Sequence, residues 1–112
     1  AELSVDLLIL NAGVMLSSRA LSEDGLEMTM ASNHYGHFLL VHLLLPNLLE
    51  AEARGRKPRV IVVSSNLCYK HDRFDFSEAV AVPKDGTPHL ERAFLDRPYA
   101  IFRSYAQSKL AN

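Results

Sequence analysis

The 112-residue sequence has only one cysteine, no marked excess of either charge and no long hydrophobic run. The single Cys68 excludes an internal disulfide framework and suits a reducing compartment. With a net charge of −1, the chain offers no electrostatic basis for binding nucleic acid or an anionic membrane. Its longest apolar runs, such as residues 38–45, are interrupted by His42 and are too short to span a bilayer. The composition is therefore that of an ordinary globular protein with one domain at most.

An initiating methionine and a recognisable signal peptide are also lacking. The chain begins at Ala1 and stops at Asn112, inside a pattern that is typical of a helix. We therefore expect residues 1–112 to be part of a longer protein, so the missing targeting and membrane segments indicate little about its location.

Two short apolar runs that end in small or polar residues predict strands of a parallel sheet. Residues 5–10 end in Asn11-Ala12-Gly13, and residues 60–63 end in Ser64-Ser65-Asn66. Nearly continuous apolar runs of this kind are typical of strands buried on both faces. Ala12 and Gly13 would let a ligand approach the main chain closely, although the same residues are common in plain turns.

The stretch between the two strands predicts one long helix. It opens at Ser22-Glu23-Asp24-Gly25 and carries an apolar stripe with spacings of three and four residues. The stripe consists of Leu26, Met30, His37, Leu40, Leu44 and Leu48. Pro46 is expected to bend or end the helix, and residues 50–58 are expected to form a charged connection.

Asn33 falls on the apolar stripe, where an amide is costly to bury without partners. An interhelical hydrogen bond, a local kink and a functional role all explain it, and all stay open at this point. His34 and His37 have a spacing that occurs in metal sites. No cluster of cysteines or carboxylates accompanies them, so we expect no metal.

Strand, helix and strand together predict one β-α-β unit with neighbouring parallel strands. Ligands of such sheets bind at the carboxyl ends of the strands. The polar residues that follow both strands are therefore expected at one edge of the sheet, where a site would form.

Residues 67–103 show no regular periodicity and predict a long loop, since Pro83, Gly86, Pro88 and Pro98 interrupt the pattern. A loop of this length is usually functional or partly disordered. Its aromatic residues either line an apolar substrate pocket or simply pack the loop onto the domain. They are Phe74, Phe76, Phe94, Tyr99 and Phe102.

Tyr105 and Lys109 are four residues apart, so on a helix they lie on one face. A free tyrosine ionises near pH 10, and favouring phenolate enough for proton transfer at neutral pH needs about 4 kcal/mol. An ammonium about 6 Å away gives about 2.8 kcal/mol at an effective dielectric of about 20. A second cation, such as an oxidised nicotinamide ring, would supply part of the remainder. By itself the Tyr-x-x-x-Lys pattern is a weak motif.

The ordered combination of these motifs resembles the short-chain dehydrogenase/reductases. The matching pieces are Asn11-Ala12-Gly13, Asn33, Ser65 and Tyr105-x-x-x-Lys109. Residues 33–38 and 105–112 are most similar to the retinol-dehydrogenase-like branch, including the WW-domain oxidoreductase type. The resemblance implies an α/β fold with a doubly wound parallel sheet, Rossmann-like and incomplete in this chain. Residues 1–112 would be a partial NAD(P)-binding domain without the glycine-rich phosphate loop and the C-terminal part.

The resemblance also implies an oxidoreductase that transfers a hydride between NAD or NADP and an alcohol or carbonyl substrate. Tyr105 would act as general acid and base, and Lys109 would favour its phenolate form and bind the nicotinamide ribose. Ser65, rather than Ser64, would hold the substrate oxygen, and Asn33 would help to position a water.

Further expectations from the resemblance concern the cofactor, the substrate and the partners. Asn11, Ala12 and Gly13 would lie near the adenosine half of the cofactor. The apolar loop residues favour a retinoid, steroid or lipid-like substrate. The resemblance implies an intracellular protein, cytoplasmic or membrane-associated on the cytoplasmic side. It leaves room for a homo-oligomer and for membrane association through segments outside these residues.

The sequence departs from the family pattern at several points. Leu10 stands where the family usually has a first asparagine, and Tyr35 replaces a small aliphatic residue. The gap between Ser65 and Tyr105 is longer than in compact members. Because the phosphate loop is missing, we expect residues 1–112 alone to be inactive and to bind no nicotinamide cofactor.

Two alternative functions remain open from the sequence. The first is a non-catalytic member of the same fold that binds a nucleotide or a protein. The second is a hydrolase that uses Ser65 and Lys109, although Ser65 lacks the Gly-x-Ser-x-Gly setting of an exposed nucleophile.

Overall fold

Two strands form a parallel sheet in this computed structural model, which describes residues 3–75 and 98–112. Strand β1 (Leu7–Leu10) pairs with strand β2 (Arg59–Val62), in a register that places Leu7 opposite Arg59. Both strands lie close to their predicted positions. The predicted α/β class with neighbouring parallel strands is confirmed.

The helical stretch between the strands begins later than predicted. Helix α1 (Met28–Met30) is capped by the buried Glu27, whose carboxylate accepts the main-chain N–H of Thr29 at 3.0 Å. Upstream, Gly25 N donates to the Ser22 carbonyl at 2.9 Å, and Gly25 has a φ of 80°. The predicted opening at Ser22 is wrong, because residues 22–25 form a turn and Glu27 supplies the helix cap.

A π-helix (Ala31–Tyr35) follows α1 directly, and helix α2 (Gly36–Ala53) completes the stretch. Pro46 was expected to bend or end the helix, and it does not end it, because it lies inside α2. The connection predicted to begin at residue 50 is wrong at its start, since α2 continues to Ala53. The helix continues because the turns after Pro46 bury Leu48 and Ala51, and this packing compensates for the lost backbone hydrogen bond.

The predicted apolar stripe is mostly turned inward. Met30, His37 and Leu48 are buried and Leu44 is half-buried. Leu40 is 40% exposed, so the stripe is not buried along its whole length in the described part of the chain.

One face of β1 forms the core of the described residues. Leu8 and Leu10 pack with Leu48 of α2, whereas Leu7 and Ile9 on the other face are 52% and 54% exposed. Every residue of β2 is exposed as well. Burial of both faces is therefore not observed in residues 3–75 and 98–112, because α2 covers only one face of β1.

A short 3₁₀-helix (Asn66–Lys70) follows β2, within a region that was predicted to be irregular. Helix α3 (Ile101–Leu110) then packs against this 3₁₀-helix and against α1. The loop predicted over residues 67–103 is thus shorter at both ends. Its residues Pro83, Gly86 and Pro88, together with Phe76 and Phe94, lie outside the described residues. No helix in the described ranges is both long and apolar enough to cross a membrane.

Candidate active site

Asn33 joins three elements at the carboxyl edge of the sheet. Its side chain is fully buried in the π-helix. Asn33 Oδ1 accepts a hydrogen bond from Val14 N at 2.7 Å, and Nδ2 donates to Val14 O and to Ser108 Oγ, each at 2.9 Å. Ser108 Oγ in turn donates to the Tyr105 carbonyl at 2.7 Å. The interhelical hydrogen bond that was one explanation for Asn33 is therefore present, and the residue lies in a π-helix.

Lys109 reaches the same place from α3. Its side chain is buried, and Nζ donates to the Val63 carbonyl, just after β2, at 2.9 Å. A Cβ added to Gly13 would lie 3.5 Å from Lys109 Nζ and 3.2 Å from Asn33 Oδ1. Glycine at position 13 therefore allows the turn after β1, the buried amide and the ammonium to meet.

Tyr105 and Lys109 lie near each other on α3, as their spacing predicts. Lys109 Nζ is 5.9 Å from the centre of the Tyr105 ring, close to the separation of about 6 Å expected for this spacing. Burial lowers the pKa of Lys109 from its usual value. Tyr105 itself is half-buried, whereas Asn11, Ala12 and Gly13 are exposed after the carboxyl end of β1.

The two serines that follow β2 have different environments. Ser64 Oγ donates to the Lys109 carbonyl at 2.5 Å and so links the end of the strand to α3. Ser65 Oγ accepts the main-chain N–H of Leu67 at 3.3 Å and caps the 3₁₀-helix. The structural role of Ser64 could not be predicted, because nothing in a Ser-Ser pair tells which hydroxyl faces a later helix.

A second polar cluster links the approach to α3 with the start of the helical stretch. The Tyr99 hydroxyl lies 3.0 Å from Thr29 Oγ1 and donates to Glu27 Oε1 at 3.5 Å. The Arg19 guanidinium lies 5.8 Å from the centre of the Tyr99 ring. Sequence reasoning missed this cluster, although an acidic residue beside a helix start is a recognisable capping signal for Glu27.

Gln107 is another buried polar residue that was not predicted. It lies on α3 and is 1% exposed. Its Oε1 accepts Asp75 N at 2.7 Å, and its Nε2 donates to Arg73 O at 3.2 Å. A single side chain thus binds two main-chain groups of the segment that follows the 3₁₀-helix.

His34 and His37 lie three residues apart on the helical stretch, at the spacing noted for metal sites. Within the described ranges, no group of three or more His, Cys, Asp or Glu side chains is placed to hold a metal ion. His34 Nδ1 lies 3.1 Å from Asn112 Oδ1. Burial lowers the pKa of His37, and the positive charge of Lys109 and the neighbouring His34 lower it further.

Comparisons with known proteins point in the same direction as this geometry. A family model described as short chain dehydrogenase matches residues 3–77. The polyprenol dehydrogenase of Mus musculus is 40% identical over 109 residues, which cover 97% of this chain and 28% of that protein. Retinol dehydrogenase 14 of Mus musculus is 38% identical over 111 residues, covering 99% of this chain and 28% of that protein.

A plant protein is similar to the same degree. The chloroplastic short-chain dehydrogenase TIC 32 A of Brassica napus is 38% identical over 109 residues, covering 96% of this chain and 30% of that protein. The chain therefore spans less than a third of the length of each of these relatives.

Proposed function

Because this chain belongs to the short chain dehydrogenase family, we propose that the intact protein transfers a hydride between NAD or NADP and an apolar alcohol or ketone. The predicted resemblance to retinol dehydrogenases is confirmed by the relatives, and it supports an oxidoreductase activity. The observation that carries the proposal is the meeting of Gly13, Asn33 and Lys109 at the carboxyl edge of the two parallel strands.

The residues at this edge fit a nicotinamide cofactor. Asn11, Ala12 and Gly13 are exposed, so their main chain is open to an extended ligand. An ammonium has three donors, and among the described residues Val63 O is the only hydrogen-bond acceptor of Lys109 Nζ. The other donors are available for ribose hydroxyls. When bound, the cofactor gives or takes the hydride.

The reacting proton is assigned to Tyr105. Its phenol would transfer a proton to or from the substrate oxygen as general acid and base. The Lys109 ammonium, 5.9 Å from the ring centre, stabilises the negative phenolate by charge attraction. We expect the Tyr105 hydroxyl and Ser65 Oγ to face one cavity, where the substrate oxygen would lie between them.

Ser65 has a hydroxyl that can hold this oxygen. Its Oγ accepts the Leu67 N–H, and its own proton is not used in any hydrogen bond among the described residues. That proton can therefore be donated to a carbonyl or alcoholate oxygen. We assign Ser65 to substrate binding and Ser64 to holding α3 in place.

Asn33 acts mainly as a positioning residue in this proposal. Both protons of Nδ2 are donated, to Val14 O and to Ser108 Oγ. Only acceptor capacity on Oδ1 remains for the relay water that the family resemblance implies. The side chain would thus hold the cofactor turn and α3 together while the proton moves through Tyr105.

The substrate class follows from the chemistry of the relatives' named substrates. Polyprenol and retinol are long apolar alcohols, and both dehydrogenases match nearly the whole of this chain. We propose a substrate of this class, a retinoid, steroid or polyprenol-like alcohol, rather than a sugar.

The test is cofactor turnover by the intact protein. NADH or NADPH formation would be followed with retinol, a steroid alcohol, a polyprenol and a polyol as substrates. Tyr105→Phe should lower kcat by about 10²–10⁴-fold, because the general acid and base is lost. Tyr69→Phe is the matched control, since the Tyr69 side chain is 86% exposed. Turnover that survives Tyr105→Phe would refute the proposed chemistry.

Experiments on the intact protein also distinguish two other functions. A non-catalytic binding member would bind NAD or NADP and oxidise none of the alcohols. A Ser–Lys hydrolase is disfavoured, because no hydrogen bond joins Ser65 to Lys109 within the described part of the chain. Labelling of Ser65 by a serine-directed covalent probe would restore the hydrolase.

A further inference from the structure

The side chain of Gln107 pairs with the main chain of residues 73–75 much as a neighbouring strand would. Its amide carries both a donor and an acceptor. The acceptor binds Asp75 N at 2.7 Å, and the donor binds Arg73 O at 3.2 Å. Because Gln107 is 1% exposed, water competes little for these bonds.

A second link from α3 reaches the same segment. Arg103 Nη2 lies 2.7 Å from Asp75 Oδ2, one helical turn before Gln107. Both side chains of this ion pair are partly exposed, at 43% and 30%, so the pair is worth less than the buried amide. Gln107 is therefore the main anchor, and the ion pair supports it.

The anchored segment contains the candidate substrate serine, Ser65. At one end, Ser64 Oγ donates to the Lys109 carbonyl of α3 at 2.5 Å. Ser65 and the 3₁₀-helix come next, and Gln107 binds residues 73–75 at the other end. Residues 64–75 are thus held on α3 at both ends, with Ser65 between the two attachments.

We propose that Gln107 is a positioning residue that sets the place of Ser65 and residues 66–75 relative to Tyr105 and Lys109. The inference rests on the proposed dehydrogenase function, because its consequence is for substrate binding. Gln107 binds the main chain of the segment that contains Ser65. Lys109 and Gly13 lie close together where the cofactor is proposed to bind. Loss of the Gln107 amide should therefore affect the alcohol or ketone and leave cofactor binding unchanged.

The test compares Gln107→Met and Asn47→Leu in the intact protein. Methionine keeps the unbranched shape of glutamine but can neither donate nor accept these bonds. Asn47 is a matched control, because its amide also donates to a main-chain carbonyl, that of Leu3 at 2.6 Å, but outside the candidate site. Hydrogen exchange of residues 66–75 and steady-state kinetics would be measured for both variants.

For Gln107→Met we expect faster exchange over residues 66–75 and a fall of about 10²-fold in kcat/KM for the alcohol. The KM for NAD or NADP and the pH profile should stay unchanged, which a general loss of folding would not produce. Asn47→Leu should alter neither the exchange of this segment nor the kinetics.

Three results would overturn the inference. Unchanged exchange in Gln107→Met would show that the amide does not hold the segment, whether or not the protein is an enzyme. Faster exchange with unchanged kcat/KM would show that the Gln107 amide holds the segment but has no effect on substrate turnover. An equal loss of alcohol and cofactor binding would mean that the whole site is disturbed. By contrast, absence of turnover in the unaltered protein refutes the proposed function, and the exchange measurement still decides the role of Gln107.

Discussion

Replacing Lys109 with methionine removes the ammonium that lies beside the Tyr105 ring. The ammonium lies 5.9 Å from the ring centre. Two unit charges about 6 Å apart attract each other by about 2.8 kcal/mol at an effective dielectric of about 20. Oxidation requires the phenolate, so Lys109→Met removes an attraction of up to this size and should move the acid limb of the pH–rate profile to higher pH.

The assay is kcat/KM for the alcohol as a function of pH, measured in the intact protein at saturating cofactor. Saturation matters, because Lys109 is also proposed to bind the ribose and its loss would weaken cofactor binding. Lys57→Met is the matched control, since Lys57 is exposed just before β2, at the opposite end of the strand from the site. The control should leave the profile where it is.

A profile that does not move, with activity retained, would refute the electrostatic role of Lys109. A shift of similar size in Lys57→Met would refute it as well, because the effect would then come from overall charge. Loss of cofactor binding without a shift would leave Lys109 as a ribose ligand only.

Three further changes test the geometry in the intact protein. Gly13→Ala should raise the KM for the cofactor about tenfold, because the new Cβ would lie 3.2 Å from Asn33 Oδ1 and 3.5 Å from Lys109 Nζ; an unchanged KM contradicts the close approach. Asn33→Leu should lower the free energy of unfolding by about 3 kcal/mol in urea titrations, since buried partners lose their hydrogen bonds; a loss no larger than that of Asn47→Leu contradicts it. The pKa of His37 is lowered in the fold from 6.5, so the unfolded chain binds the proton more readily, and stability should fall as the pH drops below 6.5. His37→Asn should weaken this fall, and an identical pH dependence of unfolding would contradict the assignment.

The parts of the fold that depend on local pattern could be predicted from the sequence. The apolar runs at residues 5–10 and 60–63 lie within one or two residues of the observed strands Leu7–Leu10 and Arg59–Val62, because a continuous apolar run favours a strand of a parallel sheet. The placement of Tyr105 and Lys109 on one helix face was also predictable, because residues four apart on a helix are neighbours on its surface.

The parts that depend on distant partners could not be predicted. Glu27 starts the helix because its buried carboxylate binds the next main-chain amides, whereas Ser22 looked equally suitable from local sequence. Pro46 is tolerated because residues beyond it pack on β1. The partners of Gln107 lie more than thirty residues away in the chain, and no local pattern indicates which polar residue will meet which main-chain group.

The paired hydrogen bonds between Asn33 and Val14 make the asparagine side chain a substitute for a peptide group. Val14 both donates to Asn33 Oδ1 and receives from Nδ2, which is the exchange that two opposed residues make in an antiparallel ladder. The turn after β1 is thereby fixed by one side chain of the π-helix. Position 33 therefore requires a side chain that both donates and accepts a hydrogen bond. A carboxylate of the same shape would face the Val14 carbonyl with a second acceptor, so even the closest isostere, Asp, would repel the group that Asn33 binds.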